Sequence, residues 1–395
     1  MEPIKIKVDR RELQQALRVT GFGRATRSAN PMYNNYRMEI TKKGTICLDT
    51  CDGVFVAVQK EISCEVEKME EESFVSYLYG NTLKKLLELI PEDEVELAVY
   101  HSQIKVSSGK KSYMMPLSDY IDELVWKKEE GDSVYFSAEV PDMKKWLECL
   151  GFCMADDEFR PAMNAMLIDL KGNEMTMVST DGRILCRMNV TNVDVNCTRQ
   201  FILPKKTAKV LQRVLPKTGF VDFVIREKSA DIIILDADAN ITKLVTKTIE
   251  GKYPNYLAVI REDYPYNVKM DRKELMNCIR RLGLVANQNS ALTKWELTKE
   301  SVKIGACDND FAMSGEEELP MEVDKLPGEN EFKVENGKML VGMNYRMLIG
   351  ILQHIKSTKV LMQFRTQNNG LIFREDGEQT GDNILYMMMP MRVDE

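Results

Sequence analysis

The sequence predicts an α+β protein with antiparallel sheets, laid out as three tandem, similar domains. A turn written three times is the first sign. An apolar run meets an aspartate-centred turn and resumes, as CLDTCDGVFV (47–56), MVSTDGRIL (177–185) and IGACDNDFAM (304–313). Aligned on Asp52, Asp181 and Asp308, the copies stand 129 and 127 residues apart in a chain of 395, a spacing that suits three domains of ordinary size. The flanking text keeps the same period. IKIKVDRRELQQAL (4–17) returns as YNVKMDRKELMNCI (266–279), with VYFSAEVPDMKKWL (134–147) as a looser middle copy. Each reads as a strand followed by a short amphipathic helix. A second helix recurs as NTLKKLLELIP (81–91), KTAKVLQRVLP (206–216) and NYRMLIGILQHI (344–355), and alternating strands follow each one. Two helices among hairpin-linked strands is the α+β pattern.

The expected domains are 1–128, 132–260 and 264–395, divided at the polar stretches WKKEEGD (126–132) and REDYPY (261–266). In the first and third copies the Asp-centred turn has a structural task, since Asp and Gly satisfy a tight turn. The middle copy is the candidate for a further role.

Composition narrows the function. With 44% hydrophobic and 29% charged residues, the chain can bury real cores and is not compositionally disordered. No apolar stretch reaches membrane-spanning length, and MEPIKIKVDRREL reads as a strand, not a signal peptide. The expectation is a soluble cytoplasmic protein with no membrane partner. The nine cysteines form no CxxC pair and are expected to be reduced, buried thiols. His101 and His354 are the only histidines, too few for a zinc site of about four close ligands.

Catalytic motifs are missing. SSGKKS (107–112) lacks the upstream glycine of a P-loop and reads as a hairpin turn. There is no GxSxG elbow, and two histidines leave little for a Ser-His or Cys-His arrangement. The Asp-Gly turns lack the intervening Thr or Ser of aspartic-protease loops. Carboxylates cluster only in surface runs such as Glu316-Glu317-Glu318. The expectation is a protein that is not an enzyme and uses no cofactor or metal.

Charge is unevenly spread. The net charge is −7, yet the six predicted helices (10–18, 82–88, 142–148, 205–213, 272–281 and 344–356) together carry +12, leaving −19 elsewhere. Six such helices on one side would form a basic surface backed by acidic sheets. That suits a polyanion held through its phosphates, without base reading. Few aromatics interrupt these helices, which favours duplex over single strands.

Four segments, TDGRIL (180–185), FILPKKTAKVLQRVL (201–215), TKTIEGKYPNY (246–256) and YMMMPMRV (386–393), resemble the bacterial DNA polymerase III beta subunit family, the sliding clamps. The resemblance runs along essentially the whole chain. It implies the DNA-clamp (processivity) fold: three clamp domains per chain, and two chains closing head to tail into a ring with helices lining the hole and sheets outside. It further implies a homodimer that encircles double-stranded DNA independently of sequence and confers processivity on the replicative polymerase. The resemblance also implies a separate ATP-driven clamp loader that opens the ring, and replicative and repair polymerases that dock through linear peptide motifs. The competing reading is a non-DNA repeat scaffold that binds peptide motifs.

By position, the resemblance implies DNA contacts at Arg24 or Arg27, Arg160, Lys205, Lys206, Lys209, Arg280 and Arg281. The peptide pocket would comprise Met163, Thr180, Gly182, Arg183, Leu185, Pro254, Val259, Asn344, Met347, Met389, Pro390, Met391, Arg392 and Val393. Methionine is flexible and polarizable, which suits a site with many ligands; Met388 is expected in the core. The dimer interface would set Tyr113 and Met115 against Leu284 and Val285, with Lys110 or Lys111 facing the 316–318 acidic run. This chain departs from the family where Arg183-Ile184 replaces the usual His-Arg, and where Asp394 and Glu395 extend past the usual last apolar residue.

Overall fold

The computed structural model describes residues 3–25, 31–118, 131–157, 159–191, 193, 195, 197–261, 264–298, 301–325, 339–377 and 381–393. Most of the predicted linker 126–132, and residues 262–263 of the other, lie outside them.

Six α-helices occur among the described residues, at the six predicted places: α1 (Arg10–Thr20), α2 (Gly80–Leu89), α3 (Val140–Gly151), α4 (Lys205–Val214), α5 (Arg272–Val285) and α6 (Tyr345–His354). One order of elements recurs three times. A strand and a helix lead into three strands; then another strand and helix lead into three more. The first and third copies add a four-residue strand, Glu65–Lys68 and Glu322–Lys325.

Local chemistry explains where the helices begin. The Asp9 carboxylate accepts the Glu12 N–H at 2.8 Å, and the Asp271 carboxylate accepts the Glu274 N–H at the same distance. Each cap stabilises its helix by about 1 kcal/mol. Behind the caps, Leu13, Ala16 and Leu17 of α1 and Leu275, Cys278 and Ile279 of α5 are buried at matching i, i+3, i+4 positions. α1 packs on α2, and α5 packs on α6.

Two cations of the helix count turn out to be structural. Arg10 donates to the carbonyls of Glu92 (2.7 Å) and Leu87 (3.2 Å), at the end of α2. Arg272, its repeat equivalent, donates to the carbonyls of Ser357 (3.0 Å) and Leu352 (3.3 Å), at the end of α6. Both satisfy carbonyls that a helix end leaves without partners. Two or more of their N–H donors are thereby committed within the fold, although each guanidinium keeps its charge. The looser middle copy has buried Val140 in this place.

The chain packs as two compact units, residues 1–147 with 203–250, and residues 148–202 with 251–395. In the first, strands of two repeats share a 13-stranded sheet. Ile241–Lys247 of the second repeat pairs antiparallel with Val56–Ser63 of the first. In the second unit, Ile184–Val190 pairs over six residues with Asn383–Met388, joining strands of the second and third repeats in a nine-stranded sheet. A separate four-stranded sheet has the order Met313–Pro320, Ser301–Asp308, Leu292–Leu297, Met339–Asn344. The compact units thus cut across the sequence repeat. In this second unit Trp295 is fully buried, and its indole N–H donates to Thr293 Oγ1 at 2.9 Å.

All nine cysteines are free; six are buried, but Cys307 is exposed, contrary to the expectation of buried thiols throughout. Among the described residues no helix is long and apolar enough to cross a membrane, and no cluster of three His, Cys, Asp or Glu residues could hold a metal.

Candidate nucleic-acid and peptide interfaces

The three copies of the turn share one device, a carboxylate that collects backbone N–H groups. Asp52 Oδ1 accepts from Val54 (2.9 Å), Phe55 (2.8 Å) and Val56 (2.9 Å). Asp181 Oδ1 accepts from Arg183 (2.7 Å) and Ile184 (2.8 Å). Asp308 Oδ1 accepts from Asp310 at 3.0 Å. Gly53 and Gly182 take the left-handed conformation, with φ of +78° and +88°, which glycine adopts without steric cost. Asp52 and Asp308 are buried, whereas Asp181 is half-buried and Gly182 and Arg183 are exposed. All three turns expose their tips, Val54 at 55% in the first and Phe311 at 75% in the third; the middle one differs in that its aspartate is only half-buried.

The pocket candidates all belong to the second unit, and contacts link many of them in series. A Cβ at Gly182 would lie 3.3 Å from Met163 Cε and 3.5 Å from Arg160 Nη1. The neighbouring Arg183 carbonyl accepts the Met389 N–H at 2.8 Å. Two residues on, the Met391 N–H donates to the Gly342 carbonyl at 2.8 Å. Gly342 is needed for this approach, because a Cβ there would come within 2.5 Å of the Met391 carbonyl and 2.6 Å of Val393 Cγ2. Asn344, two residues further, caps α6 by accepting the N–H groups of Arg346 (3.1 Å) and Met347 (3.2 Å). Thr180 pairs with Leu185 across the middle turn, and Thr180 Oγ1 donates to the Ile184 carbonyl at 2.7 Å.

Exposure differs sharply along the C-terminal methionines. Met388 is fully buried in its strand, while Met389 is 38% exposed. Pro390 and Met391 are half-buried, and Arg392 is exposed. Pro254 is half-buried beside Tyr253, whose phenol is pushed up chiefly by burial. The Tyr256 hydroxyl donates to Asp169 at 3.4 Å and steadies a 3₁₀ turn, Tyr256–Ala258. Leu257 and Val259 project from it with 54% and 45% of their surface exposed. Sequence reasoning passed over Leu257, Gly342 and also Gly370, whose place lies against the sulfurs of Met387 and Met389. Gly342 and Gly370 act by lacking a side chain, so no motif signals them; exposed Leu257 directly follows the quoted segment 246–256 and was within reach.

The basic candidates occupy varied settings. In the first unit, Arg24 donates to the Asn34 carbonyl at 2.8 Å and its guanidinium sits 5.2 Å from the Tyr36 ring centre. Arg27 lies outside the described residues. Lys205, Lys206 and Lys209 open α4, with the latter two exposed. α4 has no acid in its first turn and no capping side chain, since Pro204 precedes it. Lysines and the positive helix end therefore reinforce one another, which favours an anion. Lys206 Nζ also lies 2.7 Å from Asp52 Oδ2. In the second unit, Arg160 is not on a helix but beside the middle turn, and its Nε donates to Asp157 at 2.8 Å. Arg280 is exposed on α5. Arg281 donates to Glu317 Oε1 at 2.9 Å, and this bond holds the Glu317 carboxyl below its ordinary range.

The interface candidates lie at or near open sheet edges. Strand Lys111–Ser118 pairs with Gln103–Ser108 along one side, but on the other only Leu117 and Ser118 are paired. Tyr113 is 39% exposed, and Met115 is half-buried against the core. Met313–Pro320 is the outer strand of the four-stranded sheet. Leu284 is 75% exposed at the end of α5, next to half-buried Val285. The expected charge partners are already engaged at home. Lys111 Nζ lies 2.7 Å from Glu92, while Glu316, Glu317 and Glu318 bind Lys303, Arg281 and Ser301.

Comparison with known proteins places this architecture. Residues 139–255 match the family model described as DNA polymerase III beta subunit, central domain. The chain is 24% identical over 321 residues to the beta sliding clamp of Pseudomonas putida, covering 78% of this chain and 80% of that one. It is 21% identical over 399 residues to the beta sliding clamp of Synechococcus elongatus, covering 99% and 100%. Among solved structures, the DNA polymerase III beta subunit of Thermotoga maritima superposes with a TM-score of 0.84 at 19% identity, covering 99% of this chain and 100% of that one. A sliding clamp of Pseudomonas aeruginosa bound to griselimycin gives 0.84 at 20% identity with the same coverage. The fold is that of the DNA polymerase III beta subunit.

Proposed function

We propose that this chain, which resembles the DNA polymerase III beta subunit from end to end, is a DNA sliding clamp. Two copies close head to tail into a ring around duplex DNA, confer processivity on the replicative polymerase and dock partner proteins through short linear peptides. The observation that carries this reading is the helix pair that recurs in every repeat with net positive charge, on a chain that shares its fold along its whole length with solved clamps. A closed ring is retained by topology, so its contacts to phosphates can be weak and blind to sequence, which permits sliding. In this reading the protein works in the cytoplasm, performs no catalysis and relies on a separate loader. Its domains are 1–128, 132–260 and 264–395.

The lysine-rich start of α4, with exposed Arg280, supplies phosphate contacts. Met163, Leu185, Val259, Met347, Met389 and Met391 form the apolar wall of the peptide site, and Arg183 and Asn344 orient the ligand. The open edges KSYMMP and MSGEEELP supply the ring contacts, one basic and the other acidic. A strand edge offers unpaired backbone groups to a partner, and head-to-tail contacts close when the rotation allows. Loading by the cognate loader onto nicked circular DNA, followed by gel filtration, tests the proposal. Wild-type protein is expected to co-elute with the circle. Met115→Glu is expected to be monomeric by light scattering and absent from the DNA fraction. A Met115→Glu dimer would refute the interface, and absence of wild-type protein from the DNA would refute the clamp.

A further inference from the structure

The first unit contains a cleft of about 370 Å³ bordered by α1, α2, the end of α4 and the strands Val56–Ser63 and Ile241–Lys247. Five cations line it, Arg11, Arg18, Lys60, Lys84 and Arg213, against two carboxylates, Glu88 and Asp236. Lys60 is the unusual member, for it is only 6% exposed. Among the described residues its ammonium has one hydrogen bond, a long one of 3.3 Å to the neutral Thr242 hydroxyl, and no ion pair. An ammonium has three donors, so two are left unused in a place where an unpaired charge is costly. The nearby Asp236 carboxylate does not answer it. Asp236 Oδ1 is committed to its own turn, accepting the N–H groups of Asp238 (3.0 Å) and Asn240 (2.8 Å). Burial pulls the Lys60 ammonium below its ordinary value, with Asp236 and Glu12 opposing.

The walls repeat the pattern. Arg18 and Lys84 have no partner among the described residues, and Arg213 rests 5.6 Å from the Phe22 ring centre. Arg11 makes one exposed contact, 3.1 Å from Asp93. α1 and α4 have Arg18 and Arg213 in their last turns, so these ends contribute side-chain donors and not helix N–H groups.

We infer that this cleft is an oxyanion site that takes one phosphate group, with Lys60 at its floor and Arg18, Lys84 and Arg213 on its walls. The tetrahedral oxygens fill the unused Lys60 donors and meet guanidinium groups suited to phosphate. The group has two sources, free inorganic phosphate or a backbone phosphate of duplex DNA. The first does not depend on the clamp reading.

Thermal unfolding of the full chain, with chloride exchanged for inorganic phosphate at fixed ionic strength, tests the site. The Tm is expected to rise with phosphate concentration, by about 2 °C at tenfold excess over the Kd. Lys60→Met keeps the apolar stem and is expected to fold, with a Tm in chloride equal to or above wild type and no rise in phosphate. Arg18→Gln is expected to weaken the rise without affecting the Tm in chloride. A short duplex in phosphate-free buffer separates the sources. Duplex affinity that falls in Lys60→Met assigns the site to backbone phosphates. Duplex affinity indifferent to Lys60→Met, with the phosphate shift present in wild type and lost in Lys60→Met, assigns it to the free anion. Equal phosphate shifts in wild type and Lys60→Met, with equal duplex affinities, would overturn the inference.

Discussion

The turns at Asp52 and Asp181 share one backbone plan and have diverged in what surrounds them. Around Asp52 both carboxylate oxygens are engaged, Oδ1 by three N–H groups and Oδ2 by Lys206. Its residue is buried within the first unit. Around Asp181 two N–H groups are held, and the following Gly182 and Arg183 stand in the open beside Met163 and Met389. A repeated motif thus supplies a shape, and its neighbours decide whether that shape closes a core or presents a surface.

The largest expected difference between the turns is in stability. Asp52→Ala strips three charge-assisted bonds and strands Lys206, and is expected to cost roughly 3 kcal/mol or more. Asp181→Ala is expected to cost about 1–2 kcal/mol. Denaturant midpoints measured on both variants check the order, and equal losses would erase the distinction. Gly182→Val comes next. It forces a β-branched residue to positive φ, about 1–2 kcal/mol of strain, and places its Cβ 3.3 Å from Met163 Cε. Peptide affinity is expected to fall more than about tenfold, or roughly 1.4 kcal/mol, whereas Gly53→Val is expected to lower stability and leave peptide affinity unchanged.

Met389→Ala sharpens the comparison from the other side. Because Met389 is 38% exposed, its loss is expected to change stability by no more than about 0.5 kcal/mol. Peptide binding measured by calorimetry is expected to weaken about tenfold, through lost apolar burial. Unchanged affinity would remove Met389 from the site. Lys206→Gln is smaller still, because its side chain is 44% exposed and an ion pair so placed contributes under about 1 kcal/mol. If Lys206 also meets a phosphate, the slope of log affinity for duplex against log salt falls by about 1.

The smallest effect is one of pH at the middle turn. The Arg160 bond and the Phe159 N–H hold the Asp157 carboxyl below its ordinary value. Its pairing with Arg160 is present above the unfolded carboxylate pKa and is lost as pH falls through the lower folded value. Peptide affinity is therefore expected to stay level at neutral pH and to change only in strong acid. A transition near neutral pH would point to another group.

Much of this architecture is legible in the sequence, because its signals are local and repeated. The six helices show in buried spacings such as Leu13, Ala16 and Leu17, and Asp9 and Asp271 announce two of their starts. What the sequence hides is long-range. Arg10 and Arg272 look like solvated helix cations, and only the return of α2 and α6 reveals them as carbonyl clamps. Pairing of Ile184–Val190 with Asn383–Met388 joins segments some 200 residues apart, and alternation in one strand says nothing of its partner. The methionines proposed for the peptide site stand out in the sequence through the proline that interrupts their strand. Gly342 and Gly370 do not, since their contribution is space for the C-terminal tail. Lys60 was hidden for a related reason: alternation places it on the buried face, where a lysine is not expected.

The central claim is enclosure of DNA, and cutting the DNA tests it most directly. Protein loaded onto a nicked circular plasmid is followed by gel filtration before and after a restriction enzyme cleaves the circle. The account predicts stable retention on the intact circle and release over the freed ends once it is linear. Equal retention on both forms would mean that the protein grips DNA instead of surrounding it, and would contradict the account.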